Sequence, residues 1–212
     1  MRFHESLGDI LGSPSKVRVL RFLCRKGGEW SGRRLAAELS MNPVTAHRAL
    51  RELREATLLD LRKTGGGFSY SLKDSHYLVR GLLRPLFEEE GRAFDHLAGL
   101  LREKIGKSLR PEVVSAALYG SVVRQEEKPA SDIDLLVLVR SAGAKQRVQE
   151  ALEGAWEALS AEFGNSLAVY VNTVSEARDK RHSRRPLLEN ILRDHHLIWG
   201  KPLEEVLLDR AA

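Results

Sequence analysis

Two carboxylates separated by one residue, Asp132 and Asp134, stand where an apolar run of the sequence begins. The run at 135–139 is typical of a buried strand. Side chains two residues apart on a strand point to the same face, so the spacing predicts that the two carboxylates lie side by side. Neighbouring negative charges favour a bound cation, and Mg²⁺ prefers oxygen ligands that it shares with substrate phosphates. The pair therefore predicts a magnesium site at the start of a strand.

A Gly-Ser pair lies upstream of the carboxylates, separated from Asp132 by ten largely polar residues. Gly120 allows the backbone to approach a ligand closely, and Ser121 offers a hydroxyl group. A helix beginning at this turn would present backbone amides that bind anions. Arg124, a few residues on, is suited either to contacting phosphate or to pairing with a neighbouring glutamate.

This arrangement of a strand, a Gly-Ser turn and a Ser-Asp-x-Asp strand resembles the minimal nucleotidyltransferase domain of the DNA polymerase β superfamily. The matching residues are Gly120, Ser121, Arg124, Ser131, Asp132, Asp134 and Leu135. The resemblance implies that the Gly-Ser turn, Arg124 and Ser131 bind a nucleoside triphosphate (NTP). It also implies that Asp132 and Asp134 are catalytic residues that hold a metal, Mg²⁺ or, in its place, Mn²⁺.

One feature departs from the family pattern, in which a third carboxylate stands on the strand after the long helix. The corresponding segment, 167–173, contains neither Asp nor Glu, and Tyr170 or Asn172 would take that position. A neutral amide can coordinate a metal but is a poor general base. Phosphoryl transfer by two metals normally requires anionic ligands between them. Whether the chain is an active enzyme is therefore left open.

The composition describes a globular chain of 212 residues, 42% of them hydrophobic and 30% charged, with room for one large or two small domains. Its net charge of +5 is uneven, because residues 1–73 hold 14 Lys and Arg against 7 Asp and Glu. The basic excess predicts a polyanionic partner for the N-terminal third. A single cysteine, Cys24, and the lack of an apolar run long enough to span a bilayer predict a cytoplasmic protein with no membrane partner.

The N-terminal third has the pattern of three helices followed by a β-hairpin. The first helix begins near Pro14, the second is capped by Ser31, and the third is capped by Asn42 with Pro43 at its first position. The residues of the third helix predicted to face inward are Val44, Ala49, Leu50 and Leu53. Strands at 58–62 and 68–72 flank the three glycines of a hairpin tip.

This order of elements resembles a winged helix-turn-helix over residues 13–73. The resemblance implies that the third helix enters the major groove of double-stranded DNA. The predicted DNA-binding residues are Asn42, Thr45, His47, Arg48 and Arg51 on that helix and Arg62 and Lys63 on the wing. The alternative is a module that binds another protein, with the basic face simply solvated.

The predicted fold class is α+β, with a winged helix-turn-helix at 1–73, a helical connector at 74–110 and a small α/β nucleotidyltransferase-like domain at 111–212. The connector is expected to break near Pro85, and its apolar stripe either packs the domains together or forms the seam of a homodimer. In the last domain, strands at 113–119, 133–139 and 167–174 alternate with helices. The basic stretch at 178–186 is interpreted as a solvated face, with triphosphate or RNA as the alternative ligand.

Two functions agree with these patterns. The first is a DNA-binding transcriptional regulator whose second domain binds Mg–NTP, with weak or lost catalysis. The second is an active nucleotidyltransferase that moves a nucleoside monophosphate from NTP to a protein, RNA or small-molecule acceptor. Relatives of the domain occur in toxin–antitoxin pairs, which implies a protein partner of that type.

Overall fold

The computed structural model describes residues 4–65, 67–183 and 186–208. It divides into two compact units, Met1–Ala93 and Phe94–Ala212. The middle glycine of the predicted hairpin tip, Gly66, and two residues of the basic stretch, Arg184 and Arg185, lie outside the described residues. The domain limits at 73 and 110 stay predictions.

The first unit is built on four short helices. They are α1 Ser6–Leu11, α2 Pro14–Lys26, α3 Gly32–Glu38 and α4 Pro43–Glu55. As predicted, the Ser31 hydroxyl accepts a hydrogen bond from the Arg34 amide (3.3 Å), and the Asn42 side-chain carbonyl accepts one from the Val44 amide (2.9 Å). These caps satisfy amide groups that the first turn of a helix leaves without partners. The capping residues thus fix where α3 and α4 begin.

A three-stranded antiparallel sheet completes the first unit. Strands β2 (Leu59–Thr64) and β3 (Gly67–Leu72) form the hairpin, and β1 (Trp30–Ser31) pairs with β3, giving the order β1-β3-β2. The sequence did not predict β1, because two residues carry no readable alternation. Helices α2 to α4 and the hairpin bury a common apolar core around Leu20, Leu50 and Leu58. This is the winged helix-turn-helix arrangement.

The predicted inward position of Val44 is wrong, because its side chain is 77% exposed. The buried stripe of α4 consists of Ala46, Ala49, Leu50 and Leu53. Residues three and four apart share a face of a helix, so Val44 lies on the face of His47 and Arg48, both of which are exposed.

A long helix, α5 (Arg84–Lys104), carries the chain from the first unit into the second. Near Pro85, where a break was predicted, the chain stays helical and changes from a π-helical segment into α5. The helix contributes Phe87 to the core of the first unit and Leu101 to the core of the second. It is flanked by two five-residue π-helical segments, Val79–Leu83 and Ile105–Leu109.

The second unit contains a mixed four-stranded sheet. The strands are β4 Val113–Tyr119, β5 Ile133–Val139, β6 Leu167–Thr173 and β7 His195–Gly200, in the order β6-β5-β4-β7. Strands β5 and β6 are parallel, and the other two pairs are antiparallel. The three predicted strands are present. The fourth, β7, was expected only as a short apolar run, since an edge strand has a weak pattern.

Helices cover both faces of this sheet. They are α6 Ser121–Arg124, α7 Ala142–Phe163, α8 Val174–His182, α9 Pro186–Arg193 and α10 Leu203–Leu208. One face, with Leu135 and Val137 of β5, packs against α7 and the end of α5. The other face, with Leu136 and Leu138, packs against α8, α9 and α10. Asp134 belongs by alternation to this second face.

Within the described part of the chain, every helix is too short or too polar to cross a bilayer.

Candidate functional site

The two carboxylates stand at the beginning of β5. Asp132 lies one residue before the strand and is exposed, whereas Asp134 is its second residue and is half-buried. Asp134 lies on the face of β5 that carries Leu136 and Leu138, and the charge of the nearby Asp132 acts on it. The neighbouring residues of that face, Leu136 and Leu138, are fully buried, so the carboxylates are the polar rim of an apolar sheet.

The Gly-Ser turn contacts the second carboxylate. Gly120 follows β4 with φ 78° and ψ −153°, a conformation open essentially only to glycine. A Cβ atom added there would stand 2.1 Å from Asp134 Oδ2. Both the backbone angles and the space therefore require glycine, and α6 begins at the next residue, Ser121. The turn and the carboxylate form one closely fitted unit.

The electrostatics of the pair favour a cation. Burial raises the pKa of the Asp134 carboxyl above its ordinary value, and the nearby Asp132 charge raises it further, while Arg124 opposes both. Burial also raises the pKa of Tyr119 to about 12, with a further contribution from Asp134, its cross-strand partner. Excess negative charge in a partly desolvated place is relieved by a bound cation or by a proton.

The two other predicted nucleotide-binding residues make internal contacts. Arg124 Nε donates to Glu126 Oε2 at 2.9 Å, which is the pairing alternative foreseen for it. The Ser131 hydroxyl accepts a hydrogen bond from the Lys128 amide (2.9 Å) and so closes the turn before Asp132. Both side chains lie next to the carboxylates, but their contacts organise the loop between α6 and β5. Their role in nucleotide binding stays a prediction.

The strand beside the carboxylates carries no acid. In the parallel pairing of β5 with β6, Asp134 stands opposite Ala168, while Asn172 stands opposite Leu138. Asn172 is four residues from Ala168, or about 13 Å at the rise of a strand. Its side-chain carbonyl accepts a hydrogen bond from Lys180 Nζ (2.5 Å), and Lys180 also donates to the Tyr170 hydroxyl (3.1 Å). Asn172 is therefore too far along the strand to replace a carboxylate beside Asp134.

These residues fit one metal ion better than two. Asp132 and Asp134 supply carboxylate oxygens, and Mg²⁺ commonly completes its octahedron with phosphate oxygens and water. The Asp134 carboxylate fills the space beside Gly120, so a ligand's phosphate would have to approach the turn from the side of Ser121, where α6 begins. Among the residues described, no group of three or more His, Cys, Asp or Glu side chains is arranged to hold a metal. A second metal would lack an anionic ligand from β6.

A second candidate surface lies on α4. Asn42, His47, Arg48 and Arg51 are exposed, and Thr45 is half-buried. Arg51 has a loose ion pair with Glu55 (3.8 Å), so both partners remain largely in solvent. A shallow concavity of about 450 Å³ is lined by Pro43, Val44, His47, Arg48 and Arg51. Sequence reasoning located the cationic residues of this surface and missed the valine.

The two predicted wing residues, Arg62 and Lys63, are both exposed, and Arg62 has an ion pair. Arg62 donates to Glu29 at 2.9 Å, and the Ser69 hydroxyl donates to the same carboxylate at 3.0 Å. Arg62 is nevertheless 75% exposed, and Lys63 is exposed beside it. Phe68, the cross-strand partner of Lys63, is 55% exposed. The wing thus presents a cation and an aromatic ring to solvent.

Residues 103–201 match the family model "Polymerase beta, Nucleotidyltransferase", so the second unit carries a nucleotidyltransferase-like domain. No curated protein matches the chain.

Several solved structures are similar to part of the chain, among them the following three. The antimony-specific transcriptional repressor AntR is 24% identical over 41% of this chain and 78% of its own, with a TM-score of 0.34. A single-residue mutant of Lactococcus lactis ZitR is 16% identical over 45% and 61%, with a TM-score of 0.31. A toxin–antitoxin structure with AMP-PNP is 21% identical over 50% and 78%, with a TM-score of 0.33.

Proposed function

We propose that this protein is a DNA-binding transcriptional regulator whose nucleotidyltransferase-like domain binds Mg–NTP and has weak or no transferase activity. The proposal rests on the set of residues that forms the carboxylate site of the second unit. A glycine turn fits against Asp134, the charge of Asp132 acts on the same carboxyl, and the neighbouring strand has Ala168 where a further acid would complete a two-metal site.

The proposed binding of Mg–NTP rests on the Gly-Ser turn and on the carboxylates of Asp132 and Asp134. When bound, the ion would neutralise charge on the triphosphate, and Asp132 and Asp134 would hold it. The Ser121 hydroxyl and the backbone amides that open α6 would lie against phosphate oxygens. The charge of Arg124 lowers the pKa of Asp134, and this arginine would approach the same phosphates after exchanging its contact with Glu126.

The catalytic half rests on what β6 lacks. Transfer of a nucleoside monophosphate requires an attacking hydroxyl group to lose its proton. Ala168 cannot accept a proton, and the carbonyl group of Asn172 is occupied by Lys180 further along the strand. This supports binding without efficient transfer.

The nucleotide test is calorimetric titration of the full chain with Mg–ATP and Mg–GTP. We expect wild type to bind and the Asp132→Asn/Asp134→Asn double variant to lose binding. Glu153→Gln removes an exposed carboxylate of α7, which covers the opposite face of the sheet, and is expected to bind as wild type does. Equal affinities for wild type and the double variant would exclude this assignment of the site.

The alternative, an active transferase, keeps one observation in its favour, which is the close fit of Gly120 on Asp134. It predicts pyrophosphate release from Mg–NTP when an acceptor is present, and loss of that release in Asp132→Asn. Binding with no pyrophosphate released across protein, RNA and small-molecule acceptors would favour the regulator.

The DNA half of the proposal is supported by the exposed cationic face of α4. Arg48 and Arg51 are one turn apart and lie on the side of the helix opposite its buried stripe. Each phosphate contact makes the slope of log K against log salt steeper by about 0.9. We therefore expect Arg48→Ala and Arg51→Ala each to weaken duplex binding and to reduce that slope by about one unit.

Arg92→Ala is the matched control for these two variants, since Arg92 is an equally exposed arginine on α5 of the same unit. Its salt slope should equal that of wild type. A wild-type protein that ignores duplex DNA at low salt would refute the DNA half and leave the nucleotide half standing.

A further inference from the structure

We infer that Val44 recognises the C5-methyl group of a thymine in the DNA bound by α4. The inference rests on the proposed DNA binding and adds to it the base that one position of the helix discriminates.

The first observation is the exposure of Val44. At 77% it exceeds that of every other large apolar side chain found exposed in the described part of the chain. Packing does not account for a valine there, because the core stripe of α4 begins at Ala46. Helix propensity does not account for it either, since β-branched residues are among the weaker helix formers. The side chain is available to a partner.

The second observation is the shape of the surface around it. Pro43, Val44, His47, Arg48 and Arg51 line the concavity of about 450 Å³ on the outer face of α4, and its lining is almost wholly apolar. Long cationic side chains present apolar stems while their charged ends stay in solvent. The result is an apolar floor rimmed by positive charge. That combination suits an apolar group embedded in a polyanion.

The chemistry of the major groove supplies such a group. Donors and acceptors occupy the base edges there, and the thymine methyl group is the apolar exception. The first residues of a recognition helix are the ones that meet base edges. Val44 is the second residue of α4, directly after Pro43, and the side-chain carbonyl of Asn42 caps its amide. The rigid start of the helix holds the valine where a base edge would lie.

The test uses the full chain and a pool of randomised duplexes about 30 base pairs long, which exceeds the roughly 10 base pairs of one helical turn. Duplexes retained by wild type are sequenced, and the consensus site is resynthesised with deoxyuridine in place of each thymidine in turn. This replacement removes only the methyl group. We expect one position at which the replacement weakens wild-type binding about fourfold, the equivalent of about 0.8 kcal/mol for one buried carbon.

The same replacement should leave the affinity of Val44→Ala unchanged, and sites selected by Val44→Ala should lose the preference for thymine at that position. Leu187→Ala is the control, because Leu187 is an exposed leucine of the second unit. It should keep both the wild-type consensus and the wild-type response to deoxyuridine.

Two results would overturn the inference, and they differ in what they say of the proposed function. If wild type selects a consensus but deoxyuridine affects wild type and Val44→Ala equally at every position, DNA binding stands and the role of Val44 fails. If wild type retains no duplex at low salt, both fail together.

Discussion

Replacing Gly120 by alanine tests the fit between the glycine turn and the Asp134 carboxylate. The substitution should destabilise the protein in two ways, through the backbone conformation and through packing. Holding a non-glycine residue at φ 78° and ψ −153° costs about 1–3 kcal/mol. The new Cβ would stand 2.1 Å from Asp134 Oδ2, and overpacking of this kind costs about 1–3 kcal/mol or is relieved by moving the carboxylate.

A control substitution measures a backbone cost without a contact. Gly164 also has a positive φ, 71°, but a Cβ there would meet nothing within 4 Å. Its ψ of 8° places it in the left-handed helical region, which is less restrictive than the conformation of Gly120, so Gly164→Ala should cost about 1–2 kcal/mol. We expect Gly120→Ala to lower the stability of β5 by about 3 kcal/mol, a value within the combined range of both terms.

The assay is hydrogen exchange of the intact chain, read on peptides of β4 and β5, together with calorimetric titration of Mg–ATP. The second measurement matters more, because a displaced Asp134 should abolish binding in Gly120→Ala while Gly164→Ala binds normally. Equal stability losses in the two variants, with unchanged Mg–ATP affinity in both, would refute the contact between turn and carboxylate.

Three further predictions concern single groups. The pKa of Asp134, followed by carbon-13 NMR of its carboxyl group, should lie above the ordinary value and fall in Asp132→Asn. Because the folded pKa is raised, the stability that this group contributes is present at acid pH and is lost as pH rises through the folded pKa. The stability of Asp134→Asn relative to wild type should therefore increase as pH rises. Glu90→Gln should lower the free energy of unfolding of the first unit by about 1 kcal/mol at neutral pH, because two arginines of α2 hold that half-exposed carboxylate at 2.6–3.0 Å. Chemical denaturation measures this change. The control is Glu89→Gln, which breaks an exposed ion pair and should change the free energy of unfolding little. The Arg21 contact lowers the pKa of Glu90, so its contribution should disappear as pH falls through that lowered pKa, and a pH-independent difference would contradict the ion pair. Finally, Ala168→Asp should tighten Mn²⁺ binding measured by electron paramagnetic resonance, and an unchanged affinity would show that the carboxylate opposite Asp134 is not what the site lacks.

The sequence predicted those features that depend on local patterns. Asn42 and Pro43 set the start of α4, and Gly164 ended α7, because caps and turns are decided by a few adjacent residues. The Gly-Ser turn and the Asp-x-Asp strand were found by their spacing, and β4 and β5 bring them together as cross-strand neighbours.

What the sequence missed depends on distant partners. Val44 has the apolarity of a core residue, and only the angular position of α4 against the other helices shows that it faces solvent. Strand β1 exists because β3 pairs with it, and the pairing of Arg62 with Glu29 joins residues far apart in the chain. The position of Asn172 was ambiguous for the same reason, since register between β5 and β6 is a tertiary property.

The strand order β6-β5-β4-β7 has a consequence for synthesis on the ribosome. Strand β4, which ends at the glycine turn, hydrogen-bonds to β7, a segment that emerges about eighty residues later. The core of the first unit, by contrast, is complete once Phe87 has been made. Domains generally fold as units, N-terminal first, during translation. The nascent chain is therefore expected to acquire its winged helix while β4 still has an open edge, and a chaperone that binds unpaired strands would meet the protein in that interval.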